Sequence, residues 1–159
     1  MSNYIRPKQP GAAVFFTVNL ADRGSDLLVQ EIEALRTAVR LTRAERPFGI
    51  EAWVVLPDHM HCVWKLPEGD SDFSTRWSLI KARFTMSVDV AHRRSSHIKR
   101  RERGVWQRRF WEHHLRDDAD FQAHRRFCWI NPLTHGLVSD PGEWPYSSYH
   151  RDGGGAGLA

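Results

Sequence analysis

The chain has 159 residues, 41% hydrophobic, with seven tryptophans and eight phenylalanines, enough apolar surface for one domain with one core and no covalent staples. Its two cysteines, Cys62 and Cys128, form no C-x-x-C pair, the first ten residues carry no apolar signal core, and no run approaches a membrane span. A secreted disulfide scaffold and a membrane protein are therefore not expected, and both thiols should be reduced in a cytoplasmic protein. The net charge is only +4, but it is unevenly spread: between Arg93 and Arg109 stand eight basic residues and one acid, Glu102. Such a block suits a phosphate backbone, or else is a solvated loop.

Ala13 to Leu20 (AVFFTVNL) is β-branched and aromatic and follows Pro10-Gly11, which predicts a strand. After a turn at residues 22–25, with Ser25 or Asp26 as cap, Leu27, Leu28, Ile32, Leu35 and Val39 recur at helical spacing up to about Glu45, where Pro47 ends the helix. Ile50–Leu56 and His59–Leu66 are two strands joined tightly by Pro57-Asp58 as a hairpin. Ser71 or Asp72 caps a helix carrying Phe73, Trp77, Ile80 and Phe84 to roughly Val90, and the basic stretch that follows is expected to be a loop. Val105–Glu112 reads as a fourth strand and Asp117–Asn131 as a last helix closed by Pro132 and Gly136. The segment through Trp144-Pro145-Tyr146 reads as packed coil. The order β-α-β-β-α-β-α gives an α+β class: a ferredoxin-like split βαβ sandwich, its sheet antiparallel, with an additional C-terminal helix. One domain is expected over residues 1–150, with a disordered tail at 151–159.

His59-Met60-His61 is the first motif that carries chemistry. Residues two apart on a strand share a face, so the two imidazoles point the same way, while Met60, Cys62 and Trp64 point to the other face. Two imidazoles hold a divalent metal and leave positions open for substrate oxygens; equally, paired histidines on a strand are commonly surface or core residues. A zinc site using Cys62 or Cys128 is a rival, weakened because Cys62 faces away from the histidines. Asn131, on the last helix, shares a helical face with Phe127, four residues earlier. Its amide oxygen suits a hard cation such as Mg²⁺ or Mn²⁺, although Asn before Pro is also an ordinary helix terminator. His124, near Phe127, either lines the same cleft or is a satisfied half-buried histidine.

Six segments taken together resemble one family: Phe15-Phe16-Thr17-Val18-Asn19-Leu20; residues 52–61 (AWVVLPDHMH); residues 73–77 (FSTRW); residues 106–113 (WQRRFWEH); residues 131–138 (NPLTHGLV); and residues 144–148 (WPYSS). They are long, in order, and span about residues 4–150. The set is similar to the REP-associated tyrosine transposases, relatives of the single-tyrosine insertion-sequence transposases of the HUH class. The resemblance implies a metal-dependent endonuclease and strand transferase acting on single-stranded DNA beside a REP hairpin. A tyrosine attacks the phosphodiester, a 5′-phosphotyrosine forms and a 3′-hydroxyl is freed. It further implies recognition of a short single-stranded tetranucleotide at the foot of the hairpin, together with features of the stem. Carried over, His59 and His61 are the metal ligands, with Asn131 assisting at the Mg²⁺ or Mn²⁺. The nucleophile stands four residues before the Asn-Pro pair, and here that residue is Phe127. Phenylalanine keeps the ring and lacks the oxygen, so no covalent intermediate forms there. It is either an engineered Tyr→Phe change or a natural member that binds without cutting; Tyr146 and Tyr149 are the remote substitutes.

The expected DNA contacts are Arg76, Lys81 and Arg83 on the second long helix. Arg93, Arg94, Lys99, Arg100, Arg101 and Arg103 are expected as a clamp on the hairpin stem, and Trp106, Arg108 and Arg109 beside the active face, combining backbone charge with stacking. Insertion-sequence relatives swap helices between subunits; the basic stretch and tail here favour a monomer, cytoplasmic and nucleoid-associated. The competing readings are a non-catalytic hairpin-binding protein, such as a repressor or a domesticated transposase, and a zinc-dependent RNA-binding module, which the lack of a close Cys/His tetrad disfavours.

Overall fold

The fold is a computed structural model that describes residues 13–153; for residues 89–103 it describes the helical backbone and not the side chains. Strand β1 (Ala13–Asn19) is followed by a short helix α1 (Leu27–Gln30) and α2 (Ile32–Glu45), then the hairpin of β2 (Gly49–Val55) and β3 (His59–Lys65), helix α3 (Phe73–Arg103), strand β4 (Trp111–His114) and helix α4 (Asp118–Thr134). The strands form one antiparallel sheet in the order β2-β3-β1-β4. That is the split βαβ arrangement, with α4 as the added helix.

The two faces of the sheet are built differently. On one, Val14, Phe16, Val18, Trp53, Met60, Cys62 and Trp64 pack under α2 and α3, which contribute Leu35, Trp77, Ile80 and Phe84. Trp64 and Trp77 stack with centroids 4.4 Å apart. Each such side chain taken from water contributes roughly 1.5–3 kcal/mol, so this face supplies most of the stability. On the other face Phe15, Ala52, Val54 and Val63 pack against Cys128 of α4. Helix α4 lies mainly over β2 and β3, and its first half also meets β1 and β4 through Phe15 and His113. Among the described residues no helix is long and apolar enough to cross a membrane.

Three elements depart from the sequence reading. The basic stretch is not a loop: α3 runs on through Arg103, because Arg, Lys and Glu are good helix formers and nothing breaks the run until Gly104, whose φ of 80° makes it the left-handed stop. The fourth strand is shorter than Val105–Glu112. Leu20 bridges Trp106 while Thr17 pairs with Trp111, so the chain leaves the ladder between these points and the exposed Arg108 and Arg109 loop out. Helix α4 passes through Pro132 instead of stopping there. Proline forfeits its own donor and crowds the Cys128 carbonyl, but this near the helix end the chain continues and closes one turn later: Leu137 N–H donates to Pro132 O at 2.9 Å and Gly136 N–H (φ 71°) to Leu133 O at 2.9 Å, the paired bonds of a Schellman end.

The segment after α4 returns to β2. Val55 N–H donates to Tyr146 O, Ser148 N–H to Trp53 O, and the Trp144 indole to Val55 O at 2.9 Å. Ordered contact continues past residue 150, with Arg151 donating to Ile50 O at 2.8 Å; residues 154–159 of the expected tail lie outside the described residues.

Candidate active site

The β2–β3 turn is where the site begins. Pro57-Asp58 is held from outside the hairpin: Leu28 N–H donates to Pro57 O and Leu20 N–H to Asp58 O. The first residue of β3, His59, therefore starts from a fixed point. His59 and His61 are 6% and 7% exposed, and their ring centroids lie 4.9 Å apart.

Each imidazole is held by its Nδ1. That of His59 lies 2.7 Å from Asp58 Oδ1, and that of His61 lies 2.8 Å from Thr17 Oγ1, across the β1–β3 register that pairs Thr17 with His61. Burial pushes the Asp58 carboxyl up, but hydrogen bonds from His59 and Arg23 outweigh it and hold it below its usual range. A carboxylate only accepts, so His59 donates from Nδ1 and keeps its lone pair at Nε2. Burial also lowers the pKa of His59 and, with the nearby His59 and His135, that of His61 to about 3. Two neutral imidazoles, each with Nδ1 engaged by a partner and Nε2 left over, are what metal ligation needs.

Helix α4 lays a stripe over this pair. Phe127 sits 5.0 Å from the His61 ring and His135, at the helix end, 5.2 Å from the His59 ring. Asn131 is one turn from each, on the same helical face. It is 2% exposed, and its Oδ1 is buried without a hydrogen-bond partner. An orphaned buried acceptor is costly unless something binds it. A buried amide oxygen on the helical face that carries Phe127 and His135 is a donor of the kind a divalent cation takes. His135 belongs to the Asn-Pro-Leu-Thr-His-Gly segment, but the sequence reading assigned it no role; helical spacing from Phe127 through Asn131 was the available signal.

Phe127 is 39% exposed, so its side chain is partly open to solvent. Phe15 packs 5.7 Å from both Phe127 and His61 and forms the floor. Trp111, 57% exposed, stands 5.9 Å from Phe15 at the rim. Of the two remote tyrosines, Tyr149 is buried and Tyr146 packs against the core under α2. Cys62 faces the opposite side of the sheet among the α2/α3 core, which removes it from any zinc site with these histidines.

Several expected DNA contacts are used inside the protein. Arg76 is 2% exposed; its guanidinium donates to both Asp70 oxygens and to the carbonyls of Arg46, Pro47 and Asp72 at 2.8–3.1 Å. With its donors so engaged, it does not reach a phosphate. Trp106 is buried at 8%, its indole N–H donating to Lys81 O, so it offers no face to a base; the exposed tryptophan is Trp111. Lys81 donates to Gln107 O, and Arg83 ties α3 to Thr42 and Glu45 of α2. Arg108 and Arg109 are exposed on the looped-out segment. The side chains of Arg93, Arg94, Lys99, Arg100, Arg101 and Arg103 lie outside the described residues.

No family model matches the chain. It is 45% identical over 152 residues to the REP-associated tyrosine transposase of Escherichia coli K12, covering 96% of this chain and 85% of that one. It is 42% identical over 154 residues to a Haemophilus influenzae protein named for the same family, covering 96% and 88%. Among solved structures it is similar to a REP-associated tyrosine transposase bound to a REP hairpin, with a TM-score of 0.83, 45% identity, and coverage of 96% and 85%. A transposase-family structure from Deinococcus radiodurans, 13% identical with a TM-score of 0.52 over 86% of this chain and 95% of that one, shares the fold.

Proposed function

Because this chain belongs to the REP-associated tyrosine transposase family, we propose that it is built as a metal-dependent endonuclease and strand transferase acting on single-stranded DNA beside a REP hairpin, and that Phe127 silences the cleavage step. The observation that carries this reading is the stripe of Phe127, Asn131 and His135 laid over two buried, oriented imidazoles. The second reading, a non-catalytic hairpin-binding protein, is favoured by Phe127 itself and concerns the same surface.

His59, His61 and Asn131 are the residues that would hold Mg²⁺ or Mn²⁺. When bound, such an ion polarises the scissile phosphate. With tyrosine at 127, the phenolic oxygen forms a bond to phosphorus, the bond from phosphorus to the 3′ oxygen breaks, and that oxygen leaves with a proton as a 3′-hydroxyl. With phenylalanine no such bond forms, and the DNA stays intact in the site. Asp58 and Thr17 act as positioning residues that hold the imidazoles with Nε2 outward. Replacing either by Asn or Val respectively is expected to weaken Mn²⁺ binding by about 10–100-fold, read by isothermal titration; unchanged affinity for both would remove the orienting role.

Trp111 provides the stacking face for an unpaired base, and Arg108 and Arg109 lie on its flank for the backbone. Trp111→Ala is expected to cost about 1–3 kcal/mol of single-strand affinity while leaving the melting temperature unchanged, since the ring is mostly in solvent. An unaltered Kd would show that the ring stacks on nothing. We place the protein in the cytoplasm at the nucleoid, acting as a monomer. Hairpin recognition itself is tested by fluorescence anisotropy with a REP hairpin carrying its single-stranded flank, against an unstructured oligonucleotide of equal length. A preference for the hairpin supports the proposal, and equal affinity sinks it.

A further inference from the structure

A second cluster sits on the far side of Phe15. We propose that His113 of β4 with Asp120 and His124 of α4 forms a separate site for a first-row transition ion such as Zn²⁺, and that this ion pins α4 to the edge strand. It does not depend on the reading of the His59/His61 site. His113 Nε2 lies 2.9 Å from Asp120 Oδ2 and His124 Nδ1 lies 3.2 Å from Asp120 Oδ1; one ligand atom from each of the three residues falls within 4.8 Å of the others. Bonds of about 2.1 Å to zinc put neighbouring ligand atoms roughly 3.0–3.5 Å apart, so the set needs little rearrangement.

The donor set argues for the ion class. Two imidazole nitrogens and one carboxylate suit zinc, cobalt or nickel better than magnesium or calcium. The carboxylate is held in place: Asp120 Oδ2 accepts from Arg116 N–H at 3.0 Å, with the Arg116 Nε at 3.5 Å, and Asp120 N–H donates to the Asp117 cap at 2.8 Å. His124 Nδ1 also lies 2.9 Å from Asp120 O, a contact the ion would replace. Both imidazoles are about one-quarter exposed, so an ion reaches them from solvent and keeps open positions. The rings are walled by Trp111, stacked on His113 at 6.0 Å, and by Phe15, 4.8 Å from His124. Phe15 also packs on His61, so an aromatic ring separates the two sites. They are not a bridged pair of the kind that holds two metals ~4 Å apart. His124 lies one turn before Phe127, which makes the second ion a clamp on the helix that carries the reacting position.

The test titrates Co²⁺, a visible-absorbing stand-in for zinc, into the full chain and three variants: His59→Ala/His61→Ala, His113→Gln and Asp120→Asn. The expected result is that the His59→Ala/His61→Ala protein still binds one Co²⁺ with a d–d absorption band and gains thermal stability from it. His113→Gln and Asp120→Asn should each weaken binding of that ion on the order of a hundredfold, about one ligand's share of a site. His113→Gln keeps a donor toward Asp120 at a partly exposed position, so it decides the matter if either of the other proteins fails to fold. A folded His59→Ala/His61→Ala protein that binds no Co²⁺, or a His113→Gln protein that binds as many ions as the parent with the same affinity, would overturn the proposal and leave the cluster a hydrogen-bonded clip.

Discussion

On the proposed function, Phe127→Tyr is expected to yield a chain that nicks a REP hairpin in Mn²⁺ and becomes covalently attached to it, where the parent chain does neither. The expectation rests on three features of the proposed site: His61 lies 5.0 Å from the ring, both imidazoles are tied through Nδ1, and Asn131 Oδ1 is buried and unpartnered. The residue is 39% exposed, and at such a partly exposed position stability should shift by no more than about 0.5 kcal/mol. Removing a nucleophile from a complete site costs on the order of 10⁶ in rate, and restoring one should recover several orders of magnitude. A labelled hairpin oligonucleotide, scored for nicking and for a denaturation-resistant protein–DNA band, reads this directly. If the tyrosine protein binds and does not cut, the catalytic reading fails and the chain is a hairpin-binding descendant. Cutting by the parent chain would place the nucleophile elsewhere, although neither Tyr146 nor Tyr149 is exposed beside the histidines.

Arg76→Ala is expected to be the most damaging single substitution outside the apolar core. Its guanidinium makes five hydrogen bonds from a position 2% exposed, joining the end of α2 to the start of α3. Truncation takes a donor from three carbonyls and from Asp70; the Asp70 carboxylate is about one-third exposed and keeps the Asp72 N–H, so the cost comes mainly from unsatisfied buried carbonyls, about 1–3 kcal/mol, still a large part of a domain's stability. Urea unfolding measures it. The folded fraction should keep its hairpin affinity, which separates this role from the DNA contact expected from sequence. The pH dependence follows in sign. Hydrogen bonding by Arg76 lowers the Asp70 pKa from 3.8 to about 2, so the contribution is complete above the unfolded value and fades as the pH falls through the folded one. The advantage of the parent over Arg76→Ala should therefore shrink between about pH 4 and pH 2. Asp120, also lowered to about 2, remains in both proteins and cancels in the difference. A parent–variant gap that is constant across this window would show that Asp70 is not the partner that matters.

What sequence reveals here is what is local. The alternation of residues 59–64 is enough to put both histidines on one face and Cys62 on the other, and helical spacing is enough to align Phe127 with Asn131. Charge and side-chain size do not say whether a residue is spoken for. Arg76 reads as a cation on a helix until the carbonyls of Arg46 and Pro47, thirty and twenty-nine residues earlier, turn out to receive it. Trp106 and Trp111 are indistinguishable as letters; the residues looped out between them break the strand, and only Trp111 reaches the open face. The polarity of the basic stretch suggests a loop, but its residues are good helix formers, and the stop comes only at Gly104. Asp120 and His124 share a helical face at i,i+4, but His113 joins them only because β4 and α4 fold back on each other, a juxtaposition no spacing rule contains.

The sheet separates two kinds of constraint. The face under α2 and α3 is closed and aromatic, and substitutions there are judged by whether the protein folds. The face under α4 carries a smaller buried cluster around Cys128, the imidazoles and the exposed Trp111, and substitutions at the imidazoles, Trp111 or the overlying Phe127 are expected to change chemistry more than folding. A lineage on this scaffold can therefore lose or regain cleavage while abundance in the cell stays level. Phenylalanine and tyrosine codons differ by one base, so a silent member is a single point mutation from an active one.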